Sequence, residues 1–182
     1  MFKFNLMLKI FIELYYIQGK SYSEISEDSN MGISIDKIRT LYESSKEDEF
    51  TKHIKEVKKI HQGVKSRHKK RAEKEGEKEC SKWVFEDFSW GFPEFYEWYK
   101  ERQDSCHYCK SDPKSVSKFL KTRNNKRTNR GARLEVDRLK DHIGYKESNC
   151  VMACYICNNA KSDFLSENEA VELGKVIKSF IK

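Results

Sequence analysis

The chain has 182 residues and a formal net charge of +7, with 36% charged and 13% aromatic residues. That length suits one domain with a core of its own, or a small domain with an accessory element, and the basic excess suits a polyanionic partner without deciding one. No segment approaches the roughly 20 apolar residues that span a bilayer, and the apolar start is interrupted by Lys9 and Glu13 with no small-residue cleavage site after it, so an intracellular protein without a membrane partner is expected.

Phe4, Leu8, Phe11, Ile12 and Tyr15 recur at helical spacing and Gly19 ends the run. Ser21-x-x-Glu24 reads as a capping box opening a short second helix through Ile25. Gly32 marks a turn, and Ile35, Ile38, Leu41 and Tyr42 belong to a third helix. Helix, short helix, turn, helix is the outline of a helix-turn-helix, although the turn is longer than that motif uses; a small helical bundle gives the same pattern. Residues 1–46 are therefore expected to be helical.

Lys, Glu and Arg dominate residues 47–79, with a thin apolar stripe of Phe50, Ile54, Val57 and Val64. This predicts an exposed helical tether ending near Gly76. Its basic run from Lys52 to Arg71 is either a solvated face or a nucleic-acid contact.

Composition changes at Cys80. Trp83, Phe85, Phe88, Trp90, Phe92, Phe95, Tyr96, Trp98 and Tyr99 crowd together, which predicts core packing before base stacking. Pro93 suits the first turn of a helix running to about Gln103. From Pro113 to Leu134 there are eight Lys or Arg residues (Lys114, Lys118, Lys121, Arg123, Lys126, Arg127, Arg130 and Arg133) and no Asp or Glu. At the C-terminal end Ser166-x-x-Glu169 caps a helix carrying Val171, Leu173, Val176, Ile177, Phe180 and Ile181.

Cys106-x-x-Cys109 and Cys154-x-x-Cys157 are separated by 44 residues. Each pair can place two thiolates on one ion, and two pairs complete a closed, tetrahedral, structural Zn²⁺ site, one per chain. A redox pair or two disulfides are the competing readings. Cys80 and Cys150 are left as packed thiols, and His107 is a reserve ligand.

Between the knuckles, Leu134 to Leu139 alternates as a strand, a loop with Gly144 and Tyr145 follows, and Cys150–Ala153 is a short apolar strand. Asn158 and Lys161 then open a helix. Strand, loop, strand, helix sets a carboxylate, Asp137, facing a polar ligand, Asn158.

The run VDRLKDHIGYKESNCVMACYICNNAKSDF resembles the motif of HNH (ββα-metal, His-Me finger) endonucleases. The likeness extends over roughly residues 98–182, from Trp98-Tyr99 through Cys106-His107-Tyr108-Cys109 to the C-terminal helix. It implies an α+β fold with a zinc-stapled ββα-metal core over residues 80–182. Asp137 matches the first metal ligand, Asn149 the central Asn, Asn158 the second metal ligand and Lys161 the motif lysine. Hard oxygen ligands of this kind suit catalytic Mg²⁺ or Mn²⁺. Arg138 departs from the motif, because it stands where a general-base His is usual and stays protonated. A grip on the scissile phosphate is its expected role. The proton acceptor is then His142, preferred because its proton affinity needs no tuning, or Tyr108 or Tyr145.

The resemblance implies divalent-metal-dependent hydrolysis of double-stranded DNA, of the restriction or homing type. Lys118, Lys121, Arg123, Lys126, Arg127, Arg130, Arg133 and Lys161 are expected to contact DNA, and a C2 dimer would fit a palindromic target. A non-catalytic zinc and helix-turn-helix DNA-binding protein is the alternative, favoured by Arg138 and disfavoured by the oxygen ligands. An RNA-directed nuclease is a third reading.

Overall fold

The computed structural model describes residues 2–28, 32–46, 48–76, 88–102, 104–123 and 128–181. Cys80, Trp83, Phe85, Lys126 and Arg127 lie outside the described residues. Contacts divide the chain into two units, Met1–Gly63 with Trp90–Lys100, and Val64–Ser89 with Glu101–Lys182.

In the first unit α1 (Phe2–Ile12) is prolonged by a π-helical turn, Glu13–Ile17. Gly19 follows at φ +74°, a left-handed conformation that glycine adopts without steric cost and that ends the helix. The Ser21/Glu24 capping box opens α2 (Tyr22–Glu27), and Ser34 precedes α3 (Ile35–Ser45). α1 and α2 both pack on α3, with Phe11, Ile25, Ile38 and Leu41 fully buried. The charged segment is one long helix, α4 (Glu49–Gly76), whose residues up to Gly63 belong to this unit and those from Val64 to the second. Ile54, Val57 and Val64 of its expected stripe are buried, whereas Phe50 is exposed. α5 (Phe92–Lys100) carries Pro93 in its first turn as expected and ends at Lys100, short of the expected end near Gln103. Trp90 meets Trp98 and Phe95 with ring centroids 4.9 and 5.0 Å apart, and His61 Nε2 lies 2.7 Å from the Trp90 carbonyl. Trp90, Phe95, Tyr96 and Trp98 of this stretch are thus core, while Phe88, Phe92 and Tyr99 are half-buried.

In the second unit the described parts of the basic stretch carry two helices. Asp112 accepts from Ser115 N (3.0 Å) and Pro113 opens α6 (Pro113–Thr122), which buries Val116 and Leu120; the short α7 (Thr128–Gly131) follows. β1 (Glu135–Arg138) and β2 (Cys150–Ala153) pair antiparallel, with Asp137 opposite Val151. Directly after β2 comes α8 (Tyr155–Lys161), which packs on β1 and on α9 (Glu167–Phe180). The unit is thus a helix-rich mixture with a small two-stranded sheet. Gly174 lets α9 approach the first CxxC closely, since a Cβ there would lie 2.7 Å from the Tyr108 carbonyl carbon and oxygen. Among the described residues no helix is long and apolar enough to cross a membrane.

Candidate active site and metal centre

The two CxxC turns converge. Ser111 O accepts from Cys106 N, and Met152 O accepts from His107 N at 2.8 Å, fastening the first turn to β2. His107 Nε2 sits 2.9 Å from Glu167 Oε1 of α9. The second turn caps α8, with Cys154 Sγ accepting from Cys157 N. The ligand atoms of Cys106, Cys109, Cys154 and Cys157 all lie within 4.8 Å of one another, and all four residues are buried. Cys109 Sγ and Cys154 Sγ are 3.8 Å apart. Tetrahedral bonds of about 2.3 Å to zinc put sulfurs about 3.8 Å apart, so the pocket fits that ion. Hydrogen bonding to Cys106 and Cys109, together with burial, pushes the Cys154 and Cys157 thiols up. Four thiolates so close need a cation between them. Cys150 is packed apart, and burial pushes its thiol up to about 12.

Alternation along β1 puts Glu135 and Asp137 on one face and Val136 and Arg138 on the other. Asp137 is buried, and its Oδ2 accepts a 2.7 Å hydrogen bond from the Tyr108 hydroxyl. Burial pushes the Asp137 carboxyl up, against the Tyr108 bond and the Lys161 charge. Burial, then the Asp137 charge, push the Tyr108 hydroxyl well above the usual tyrosine range. Asn158 Nδ2 donates to Glu135 Oε2 at 2.7 Å. Its carbonyl oxygen is therefore the end left to ligate a metal. The oxygen donors of Asp137 and Asn158 suit a hard divalent cation.

Lys161, expected at DNA, is fully buried instead of lying on the surface. Its Nζ is 3.5 Å from Asp141 Oδ1 and 4.0 Å from Asp137 Oδ2. Arg138 is buried too. It donates to Asp141 O at 2.6 Å, lies 3.3 Å from Asp163 Oδ1 and covers the Tyr145 ring at 5.2 Å. Asn149 staples the β1–β2 loop, accepting from Lys140 N (2.9 Å) and donating to Lys140 O and Gly144 O (2.8 Å each). His142 is exposed and lines a cleft of about 520 Å³ with Asp141 and Asp163. Lys118, Lys121, Arg123 and Arg133 are exposed. Arg130 holds Glu135 through both guanidinium contacts (2.8 and 2.9 Å) and covers the Tyr155 ring.

Three acidic residues of this network escaped sequence reasoning. Glu135 could have been found from its spacing to Asp137. Asp141 and Asp163 carry no local signal.

No known family model matches the chain, and no curated protein does. Among solved structures, the chain is similar to the rare-cutting HNH restriction endonuclease PacI, with 27% identity and a TM-score of 0.49, over 68% of this chain and 77% of that one.

Proposed function

We propose that this chain is a divalent-metal-dependent endonuclease that hydrolyses phosphodiester bonds in double-stranded DNA, cutting at specific sites in the restriction or homing manner. One observation carries the reading. A hydroxyl on the zinc knuckle, Tyr108, bonds the candidate ligand Asp137 in β1, and the Glu135 that shares its face bonds the candidate ligand Asn158 in α8. This is an HNH-like juxtaposition assembled from three separate elements.

Asp137 and Asn158 would hold Mg²⁺ or Mn²⁺, which when bound supplies positive charge to the scissile phosphate and the leaving oxygen. Tyr108 is the proton acceptor favoured by position, because its hydroxyl touches Asp137 whereas His142 sits exposed on the loop. Burial, and then the Asp137 charge, hold Tyr108 protonated, and a cation on Asp137 would offset the second of these. Lys161 balances Asp137 and Asp141 from below. Asn149 is a positioning residue for the loop, and Arg138 waits beside it for a phosphate. Exposed Lys118, Lys121, Arg123 and Arg133, with Lys126 and Arg127, would grip the DNA backbone.

The non-catalytic DNA-binding reading draws support from Arg138 standing in the usual place of the base. Incubating plasmid DNA and a matched RNA with and without Mg²⁺ separates the readings. Mg²⁺-dependent cutting of the DNA alone supports the proposal, and binding without cutting supports the alternative.

A further inference from the structure

The second half of α4 carries a charge pattern that the proposed reaction leaves unused. Arg67, Lys70, Arg71 and Lys74 recur at i, i+3, i+4 and i+7 and so share one helix face. Together with Tyr145 and Asp163 they line a cleft of about 320 Å³, in which four cations meet one carboxylate. Like charges at i and i+4, as in Arg67 with Arg71 and Lys70 with Lys74, work against a helix. The same helix pairs opposite charges elsewhere, Lys69 with Glu73 at 3.8 Å on another face and Lys52 with Glu49 at 3.0 Å about five turns earlier. Within the cleft Asp163 offsets part of this repulsion, and an anion arriving from outside would offset it further.

The walls of the cleft are fixed. Arg67 Nε donates to the Tyr145 hydroxyl at 3.2 Å, and Tyr145 N donates to the buried His68 Nδ1 at 3.3 Å. Arg71 pairs with Asp163, and the other oxygen of Asp163 lies 3.3 Å from Arg138 Nη2. Arg138 directly follows Asp137 in β1. Asp163 therefore holds two guanidiniums at once, one in the cleft and one next to the candidate metal ligand. Burial raises its carboxyl, but the Arg71 bond and the charges of Arg71, Arg138 and Lys161 bring it below the usual range, so it stays ionised. Two guanidiniums converging on one anion is also the geometry that recognises a phosphate.

We propose that this face of α4 binds the sugar-phosphate backbone of duplex DNA, and that Asp163 holds the place of a phosphate between Arg71 and Arg138 until DNA displaces it. From Arg67 to Lys74 the helix rises about 10 Å, the axial length of about three phosphates of one strand. The inference rests on reading DNA as the substrate, and adds to the basic stretch 113–134 a second surface reaching the active site from α4.

The test measures binding of a mixed-sequence DNA duplex to the zinc-loaded full chain, with Mg²⁺ withheld, across a salt series. The exposed pair Lys70→Gln with Lys74→Gln should lower the log–log salt slope by about 1.8, about 0.9 per phosphate contact. Asp163→Asn should tighten binding by about fivefold, since it removes one charge facing the phosphate. Lys175→Gln on α9 should leave the slope unchanged and controls for a charge lost away from the cleft. An unchanged slope in the Lys70/Lys74 variant, with salt-dependent binding by the unsubstituted chain, overturns the inference alone. Weaker binding by Asp163→Asn overturns the place-holding role. Failure of the unsubstituted chain to bind DNA overturns both the inference and the reading of DNA as substrate.

Discussion

Tyr108 is held from two sides. Cys106 and Cys109 bracket it in the knuckle, and its hydroxyl bonds Asp137. A tyrosine base gives a rate that keeps climbing with pH past neutrality, because its ordinary value of about 10 lies well above that of histidine. A histidine base would instead plateau near the unperturbed value of about 6.5. Single-turnover cleavage by Tyr108→Phe should fall about a hundredfold or more, while His142→Ala keeps most activity and the alkaline climb. The reverse pattern, with a plateau near neutrality that depends on His142, would move the base to the loop. Asn149 makes a different kind of contribution. It satisfies one backbone N–H and two carbonyls of the β1–β2 loop from a buried position. Asn149→Ala leaves those groups without their partner and should cost about 2–4 kcal/mol in denaturant unfolding. A change below about 0.5 kcal/mol would mean that the loop holds itself.

The short elements around these residues depend on the knuckles, since two four-residue strands bury too little apolar surface to stand alone. Cys154→Ser should therefore drop zinc below one ion per chain and remove hydrogen-exchange protection from β1 and β2 together. Well-folded chain without zinc would contradict this. The elements legible in the sequence are those whose cause is local. Paired CxxC spacing marked the knuckles, Ser21/Glu24 and Ser166/Glu169 marked the starts of α2 and α9, and alternation marked β1. α6 was hidden because its apolar side, Val116 and Leu120, sits among lysines and arginines. Asp112-Pro113, a cap followed by a first-turn proline, was the available signal. The bond from Asn158 to Glu135 joins residues 23 apart, and that from Arg71 to Asp163 residues 92 apart. Such pairs arise from packing and leave no periodic trace.

Charge over the molecule follows the same logic. The net +7 is not spread evenly, because the helices use many of their charges in neighbouring pairs such as Glu97 with Lys100 and Glu172 with Lys175. Lys114, Lys118 and Lys121 of α6 are exposed at i, i+4 and i+7, one face without an acidic neighbour in sequence. Changing all three to Gln should weaken duplex binding and lower the log–log salt slope by about 2.7, whereas an unchanged slope would mean that this face meets only water. These surfaces matter only if Asp137 and Asn158 form the cutting centre, which is the central claim. It is tested most directly by Mg²⁺-dependent cleavage of mixed DNA by Asp137→Ala and Asn158→Ala, with zinc content measured on the same samples. Each variant should keep one zinc per chain and lose cleavage by about a thousandfold or more. A zinc-loaded variant of either kind that cuts as fast as the unsubstituted chain would contradict it.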